Sequence, residues 1–320
     1  MKTRSKKNRP AVTHTAPVAP VVKRVALRVR SFAKINLTLD VLKKEGNYHQ
    51  IRTVFQEIPL HDELIFAINP DGKPGSVDLH CSRRDVPVDE TNMVYRAVEL
   101  LKKNARADFP SLTITIKKNI PVAAGLGGGS SNAAATLGAL NTWLKLELSK
   151  SRLQKMAERI GMDVPFFLHG GTALGTHFGE KIKSLPGLKF PHLLIAMNGK
   201  KESTKSVYAR LNANLVGRNA AKTTALLTYL KKKSPATRID IQKLSGFLHN
   251  DFETAFRTNK SKSALGIPDL KKILLRTGAA SVHICGSGPA LYAVYPNRKT
   301  RDMAYRQLKV QNLVFLKSLS

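Results

Sequence analysis

Cysteine and long apolar runs are scarce in this sequence, and each shortage excludes a class of protein. The 320 residues include two cysteines, Cys81 and Cys285, which have no metal-type spacing and are too few for a disulfide framework. No run approaches the roughly eighteen apolar residues of a membrane helix, and residues 1–24 lack the apolar run of a secretory signal. We therefore expect a cytoplasmic protein with no membrane partner.

Acidic residues are scarce as well. The chain has 22 Asp and Glu against 53 Lys and Arg, so its formal net charge is +31. Residues 1–30 hold nine of the basic residues and no acid, which leaves +22 for the rest of the chain. Such a charge attracts small anions and, non-specifically, nucleic acid. Because no motif interleaves aromatic with basic residues, we expect no specific nucleic acid partner, and a basic nucleic-acid-binding protein remains a remote alternative.

The first 24 residues are basic and interrupted by three prolines. This composition predicts a disordered basic tail at 1–24, because it offers too little apolar surface to bury. An acid-poor leader could instead be an organellar transit peptide, but this one has few serines and no clear amphipathic period. The remainder is long enough for two domains.

The most informative stretch is a glycine-rich loop within residues 121–143. Apolar residues alternate with threonines over 112–116, which predicts a strand, and an alanine-rich run after Ser130, Ser131 and Asn132 predicts a helix that these polar residues cap. Four glycines stand in five positions between them, which is unfavourable unless the loop needs positive φ or close approach by a ligand. Backbone amides at a helix start attract phosphate. An ordinary glycine-rich turn is the alternative.

This loop matches neither the P-loop nor the dinucleotide-binding pattern. The segment GLGGGSSNAA, preceded by a proline, instead resembles the second motif of the GHMP kinases, the superfamily of galactokinase, homoserine kinase and mevalonate kinase. SFAKINLTL at 31–39 resembles the first motif and HICGSGPALYAVY at 283–295 the third, in the family order. The resemblance implies that the loop binds ATP through Pro121, Ala123, Ala124, Gly125, Leu126, Gly127, Gly128, Gly129, Ser130 and Ser131.

The fold that the resemblance implies is a two-domain α/β (α+β) GHMP kinase fold. Its N-terminal, ATP-binding domain is ribosomal-protein-S5-domain-2-like and would span residues 25–190. A ferredoxin-like C-terminal domain would span 191–320, with the active site in the cleft between the two. The third-motif loop, made of Gly286, Ser287 and Gly288, would be a second glycine turn after a strand.

The first motif carries a lysine that a simple pattern would leave in solvent. Alternating apolar residues over 25–41 predict one or two strands, with Lys34 and Asn36 on the face opposite Ile35 and Leu37. A lone lysine in a strand usually lies on the solvated side. One branch of the superfamily, which phosphorylates the 2-hydroxyl of cytidyl-diphospho-methylerythritol for non-mevalonate isoprenoid synthesis, has a functional lysine and asparagine at these two positions.

The segment GMDVPFF at 161–167 resembles the part of that branch which carries the catalytic aspartate, here Asp163. An aspartate before Val-Pro is otherwise often a plain turn residue. The resemblance implies that Asp163 accepts the proton of the substrate hydroxyl. Lys34 would keep Asp163 ionised and stabilise charge on the transferring phosphoryl group.

Substrate selection is expected to depend on aromatic residues. A pyrimidine is bound selectively by an aromatic sandwich and a polar group at its edge. Tyr48 and His49 resemble the branch's Gly-Tyr-His turn, and Thr204 and Tyr208 match its Ser-Thr and following aromatic. Tyr48 and Tyr208 would therefore stack on the base and His49 would read its edge, with Asn36 and Thr204 as further substrate contacts.

The expected partners are small molecules, namely ATP and the cytidyl substrate. Mg²⁺ is expected with ATP, although its protein ligands are unknown, and the protein is expected to be a monomer or homodimer. Another small-molecule GHMP kinase, of the homoserine or mevalonate type, remains the nearer alternative, against which Tyr48, His49 and Tyr208 argue.

Local patterns give further predictions outside the motifs. Apolar periodicity predicts helices at 92–103 and 151–160 and a strand at 193–197. Glycine and proline breakers predict a hairpin and loop over 65–90. The segment HNDFE at 249–253 is interpreted as the start of a helix with a structural role.

Overall fold

The computed structural model describes residues 26–46, 48–104, 109–188, 192–199, 203–211, 214, 216–232, 239–256, 266–310, 313 and 315–319. The predicted basic tail at 1–24 and the predicted domain boundary at 190 and 191 lie outside these ranges. The division into 25–190 and 191–320 therefore stays a prediction.

Seven strands of the described chain form the first sheet, in the order β3-β4-β2-β1-β8, with β5 paired to β2 and β6 to β5. The β1–β2 pair is antiparallel and long, whereas β3–β4 and β1–β8 are parallel. The strands are β1 (Leu27–Glu45), β2 (Tyr48–Ile68), β3 (Val77–Cys81), β4 (Leu112–Lys117), β5 (Thr172–Thr176), β6 (Lys181–Ser184) and β8 (His249–Asn250).

Four helices accompany this sheet, and their apolar faces share a buried cluster with strands β2 and β4. The period of buried residues in the first helix follows the amphipathic pattern of the sequence, with Val94, Ala97, Val98 and Leu101 inside. The helices are α1 (Met93–Asn104), α2 (Gly128–Trp143), α3 (Lys150–Ile160) and α4 (Val164–His169).

The second sheet has four antiparallel strands in the order β11-β7-β10-β9. Its strands are β7 (Leu193–Met197), β9 (Ser281–Ile284), β10 (Leu291–Val294) and β11 (Phe315–Leu319). Its helical elements are α5 (Thr204–Ala209), α6 (Ala220–Lys231), α7 (Ile241–Phe247), a 3-10 helix (Asp251–Phe256), α8 (Ile267–Arg276) and α9 (Arg298–Lys309). Along the chain, α8 connects to β9 after β7, and α9 lies between β10 and β11. This βαββαβ order with the strand order β11-β7-β10-β9 is ferredoxin-like, which confirms the predicted fold.

Strand β1 connects the two sheets. Ile35 and Leu37 on one of its faces share a buried cluster with Leu193 and Ile195 of β7. Lys34 and Asn36 alternate with these two residues and therefore point to the opposite face of β1, where Lys34 Nζ donates to Asn36 Oδ1. Within the described residues, none of the helices has the length and apolar character that crossing a membrane requires.

Three local predictions are confirmed within one residue at each end: α1, α3 and β7. The hairpin predicted over 65–90 is wrong, because β2 continues to Ile68 and β3 then pairs in parallel with β4. The segment at 249–253 does not begin as a helix either. It first forms β8, which adds to β1, and the 3-10 helix follows.

Candidate active site

The glycine loop leads from β4 into α2 through backbone conformations that favour glycine. Gly125 and Gly127 have φ of 81° and 72°, and Gly127 is the N-cap of α2 in the left-handed region. The prediction that Ser130, Ser131 and Asn132 cap the helix is therefore wrong. The first intrahelical bond runs from Ser131 N to Gly127 O at 2.8 Å, so the amides of the turn before it are the groups that can bind a phosphate.

The polar residues after the glycines hold the helix to the sheet instead. Ser31 Oγ donates to Ser131 Oγ at 2.6 Å, and Asn132 Nδ2 donates to Ser31 Oγ and to Asp62 Oδ2, both at 2.9 Å. Asp62, on β2, is fully buried and also accepts from the Lys118 ammonium and from the backbone amides of the loop before α2. No motif surrounds Asp62 in the sequence, so its role becomes visible only in the structure.

Lys34 lies inside the protein, in contrast to an ordinary strand lysine. Its side chain is 4% exposed, and its Nζ donates to Asn36 Oδ1 at 3.0 Å and lies 3.4 Å from Asp163 Oδ2. Its backbone amide donates to Leu126 O at 3.0 Å, which joins β1 to the glycine loop. A buried ammonium needs such partners, because an unpaired charge is strongly destabilising away from water.

Asp163 stands at the N-cap position of α4, yet its side chain makes no cap hydrogen bond within the described residues. The helix begins there because Pro165 follows in its first turn, where a missing amide is tolerated. The side chain of Asp163 is 35% exposed, and its Oδ2 lies near Lys34 Nζ. It is thus both paired with a buried cation and open to a substrate.

The third-motif loop contacts the glycine loop directly. Ala290 N donates to Ala124 O at 3.2 Å, and Gly286 N donates to Asn36 Oδ1 at 3.1 Å. A Cβ at Gly125 would lie only 1.8 Å from the carbonyl oxygen of Cys285. Burial raises the pKa of the Cys285 thiol to about 12, although the Lys34 ammonium opposes that change, so the thiol is inert at neutral pH.

The predicted substrate residues fall into two aromatic groups rather than one sandwich. His49 is stacked on Tyr208 with ring centroids 4.7 Å apart and planes 10° apart, and Phe252 meets Tyr208 edge-on at 4.8 Å. Tyr48 is 58% exposed and lies 5.4 Å from the ring of Phe178.

The separation of these rings follows from strand geometry. The structure places Tyr48 and His49 in the first rungs of β2, opposite Glu45 and Lys44, and not in the turn where the sequence placed them. Successive strand residues point to opposite faces, so the two side chains diverge. Sequence reasoning missed Phe178, whose only signal is an aromatic residue near the end of β5.

The pKa of Tyr208 responds to its burial and to the charge of Asp163. Burial, followed by the Asp163 carboxylate, raises the pKa of Tyr208 to about 12. Partial burial and the Lys44 ammonium lower the pKa of His49. Thr204 Oγ1 lies 3.3 Å from Ser287 Oγ, which connects α5 with the third-motif loop.

The arrangement has the parts of a phosphoryl-transfer site. It combines a helix start with free amides, a buried ammonium, a partly exposed carboxylate and a group of aromatic residues. The described residues contain no set of three His, Cys, Asp or Glu side chains that could hold a metal ion.

Comparisons with known proteins define the class. The family model described as GHMP kinases N terminal domain matches residues 92–171, and the one described as GHMP kinases C terminal matches residues 261–312. Each model includes a motif identified in the sequence, the second at 121–131 and the third at 283–295, and together with the relatives described next they show that the chain is a small-molecule kinase of the GHMP type.

Individual relatives narrow the class further. A 4-diphosphocytidyl-2-C-methyl-D-erythritol kinase of Caldanaerobacter subterraneus subsp. tengcongensis is 36% identical over 284 residues, which cover 88% of this chain and 93% of the relative. A protein of the same name from Syntrophus aciditrophicus is 36% identical over 272 residues, 85% of this chain and 90% of the relative. The chain belongs to the 4-diphosphocytidyl-2-C-methyl-D-erythritol kinase family.

Solved structures agree with this assignment. A crystal structure of 4-(cytidine 5'-diphospho)-2C-methyl-D-erythritol kinase has a TM-score of 0.70 at 26% identity, covering 92% of this chain and 98% of that chain. Homoserine kinase from Cytophaga hutchinsonii has the same TM-score of 0.70 at 17% identity, covering 95% and 97%. The second likeness shows the shared fold alone.

Proposed function

We propose that this chain transfers the γ-phosphoryl group of ATP to the 2-hydroxyl of 4-diphosphocytidyl-2-C-methyl-D-erythritol. The observation that carries the proposal is the approach of Lys34 Nζ to Asp163 Oδ2 at 3.4 Å beside the first turn of α2. Family membership supplies the substrate class. Kinases that share only the fold, such as the homoserine type, are not favoured by the comparisons.

In the proposed reaction the substrate's 2-hydroxyl oxygen attacks the γ-phosphorus, and the bond from that phosphorus to the β–γ bridging oxygen breaks. The hydroxyl proton passes to Asp163, whose carboxylate is the exposed member of the pair. Lys34 is the buried member and stabilises negative charge on the transferring oxygens. Free amides of the α2 start and the glycine loop hold the nucleotide phosphates.

Magnesium would arrive with the nucleotide. Mg²⁺ is usually held by one or two carboxylates together with substrate phosphates and water, so the nucleotide phosphates would supply part of its coordination, and Glu57, the cross-strand neighbour of Lys34, is a carboxylate that could supply another part. Bound magnesium would neutralise charge on the β- and γ-phosphates. We also propose a cytoplasmic location, where ATP is supplied, and a monomeric or homodimeric state.

The cytidine base would be recognised around Tyr208. Its ring already carries His49 in a parallel stack, so a base can bind by taking the place of His49 on that face. The released imidazole would then be free to bond the edge of the base. Tyr48 and Thr204 complete the proposed substrate contacts, with Thr204 held near Ser287, whereas Asn36 is buried and bonded to Lys34 and Gly286.

A direct assay tests the proposal. Purified protein is given ATP, Mg²⁺ and, in parallel, the cytidyl substrate, homoserine or mevalonate, and the product is located by phosphorus NMR. We expect phosphate only on the 2-hydroxyl of the cytidyl compound. Asp163→Asn should keep its fold and lose on the order of 10²–10⁴ in kcat. Faster turnover of homoserine or mevalonate, or a near-native Asp163→Asn enzyme, would contradict the proposal.

A further inference from the structure

Two buried asparagines hold Gly286 through its two backbone polar groups. Asn36 Oδ1 accepts from Gly286 N at 3.1 Å, and Asn250 Nδ2 donates to Gly286 O at 2.8 Å and to Ile284 O at 3.0 Å. Asn36 is 1% and Asn250 4% exposed. Buried hydrogen bonds of this kind fix a geometry, because leaving either partner unsatisfied is strongly unfavourable.

Asn250 is itself placed by the strand that carries the lysine. It is opposite Leu39 in the parallel β1–β8 pair. Next to it, His249 Nε2 lies 2.7 Å from Asp40 Oδ1, and Arg52 Nε donates to Asp40 Oδ2 at 3.0 Å. The position of Asn250 is therefore set relative to β1, and through β1 relative to Lys34.

The held peptide is in contact with the reacting part of the site. A Cβ at Gly286 would lie 3.1 Å from Gly125 O and 3.5 Å from Lys34 Nζ. A displacement of Gly286 would consequently change the surroundings of Lys34 Nζ and remove the contact with Gly125 at the same time.

We propose that Asn250 is a positioning residue of the kinase: it holds the third-motif loop in the place that positions Lys34. Donating to the carbonyl oxygens of Ile284 and Gly286 at once requires two N–H donors on one small, neutral group. The side-chain amide of asparagine has them. A carboxylate of the same shape would face both oxygens with an acceptor. The proposal rests on the role proposed above for Lys34.

The first experiment compares one chemical change at two places. Asn250→Asp keeps the acceptor that receives Phe252 N at 3.0 Å but removes both donors to the loop. The matched control is Asn297→Asp at the N-cap of α9, where Asn297 Oδ1 accepts from Thr300 and an aspartate can do the same. We expect kcat to fall roughly 10- to 100-fold for Asn250→Asp, as for other ångström-scale misplacements, and to stay unchanged for Asn297→Asp.

The second experiment separates positioning from general damage. Asn250→Asp is combined with Lys34→Met, and single-turnover rates are measured on protein shown to be folded by circular dichroism. If Asn250 acts through the placement of Lys34, its loss should lower the rate of the Lys34→Met enzyme by no more than about threefold. A full 10- to 100-fold loss in that background would overturn the proposal, as would a near-native Asn250→Asp single variant.

A milder substitution covers the case in which Asn250→Asp does not fold. Asn250→Ser retains one hydroxyl donor and should show a smaller loss of kcat with the same dependence on Lys34. Additive effects of Asn250→Ser and Lys34→Met would overturn the proposal. If Lys34→Met alone keeps native turnover, the proposed role of the lysine fails, and this outcome is distinct from a failure at Asn250.

Discussion

Replacing Gly125 by alanine tests whether the contact between the two glycine loops is required for catalysis. A Cβ at this position would lie 1.8 Å from Cys285 O, 2.8 Å from Cys285 C and 3.2 Å from Gly288 N, all of them backbone atoms. Real Cβ atoms essentially never come within 3.0 Å of such neighbours, so the loops must separate by about 1.2 Å. The φ of 81° adds strain of roughly 1–2 kcal/mol for a residue with a Cβ.

The expected loss follows from that displacement. A misplacement of about 1 Å in a catalytic arrangement can lower the rate by about 10²-fold, so kcat/KM for both substrates should fall by that order. The assay is steady-state phosphoryl transfer at a temperature well below the melting temperature of the variant. Melting curves with and without ATP then show whether nucleotide binding has weakened along with turnover.

The same substitution in α2 is the control. A Cβ at Gly138 would meet no atom within 4 Å, and alanine favours a helix interior over glycine by up to about 1 kcal/mol. Gly138→Ala should therefore keep native kinetics and melt at the same temperature or higher. If Gly125→Ala also keeps native kcat/KM, the two loops do not need their close approach, and the reasoning is refuted.

Two further predictions concern the substrate pocket and acid stability. Tyr208→Ala removes the ring stacked on His49 and should raise KM for the cytidyl substrate roughly 5- to 150-fold with little change in KM for ATP. The control, Tyr208→Phe, keeps the ring and should behave as wild type. A loss of ATP affinity in Tyr208→Ala would mean that the cytosine base binds elsewhere. Burial opposes ionisation of Glu253, but the hydrogen bond from His283 and the nearby Lys271 lower its pKa from 4.5 to about 2. Glu253→Gln should lower the free energy of unfolding at pH 7 by about 1–3 kcal/mol, since His283 and Lys271 lose their charged partner. That deficit should shrink as the pH falls from 4.5 towards 2, since the folding contribution of a depressed carboxyl is lost over that window; in urea melts, a deficit independent of pH would contradict the assignment.

Local elements were predictable where a pattern of several residues repeats. The apolar period of α1 and the alternation in β7 each bury one face, and their bounds follow from that requirement. The strand before the glycine loop is confirmed for the same reason. Such patterns show which residues of an element are buried, but they say little about which other element packs against them.

Long-range pairing was not predictable for that reason. Strand β3 pairs in parallel with β4, across the whole of α1, and a local hairpin was the simpler interpretation. Strand β8 has two residues, too few for any period to be visible, yet it adds to β1 from a distant part of the chain. The interpretation of 249–253 as structural overlooked what Asn250 contacts, because its partners lie more than thirty residues away.

The candidate site shows the same division. The resemblance pointed to Lys34 and Asp163, and the structure brings the two side chains together. It did not reveal that Tyr48 and His49 diverge from the start of β2, since that depends on where the turn ends. It also could not show Asp62, which stands among other polar residues of β2 and whose partners come from the loop and from α2.

The burial of Lys34 explains why one strand can organise the whole site. On β1, Ile35 and Leu37 face the core shared with β7, so Lys34 and Asn36, which alternate with them, must lie on the other face. Both glycine loops lie against these two residues, since a Cβ at Gly127 would be 3.3 Å from Lys34 Cγ and Gly286 N donates to Asn36 Oδ1. A charged residue is tolerable there only because its neighbours supply a carboxylate and an amide oxygen. The partners that a buried lysine needs thus bring both glycine loops to one strand. Phosphoryl transfer needs its groups positioned together in this way.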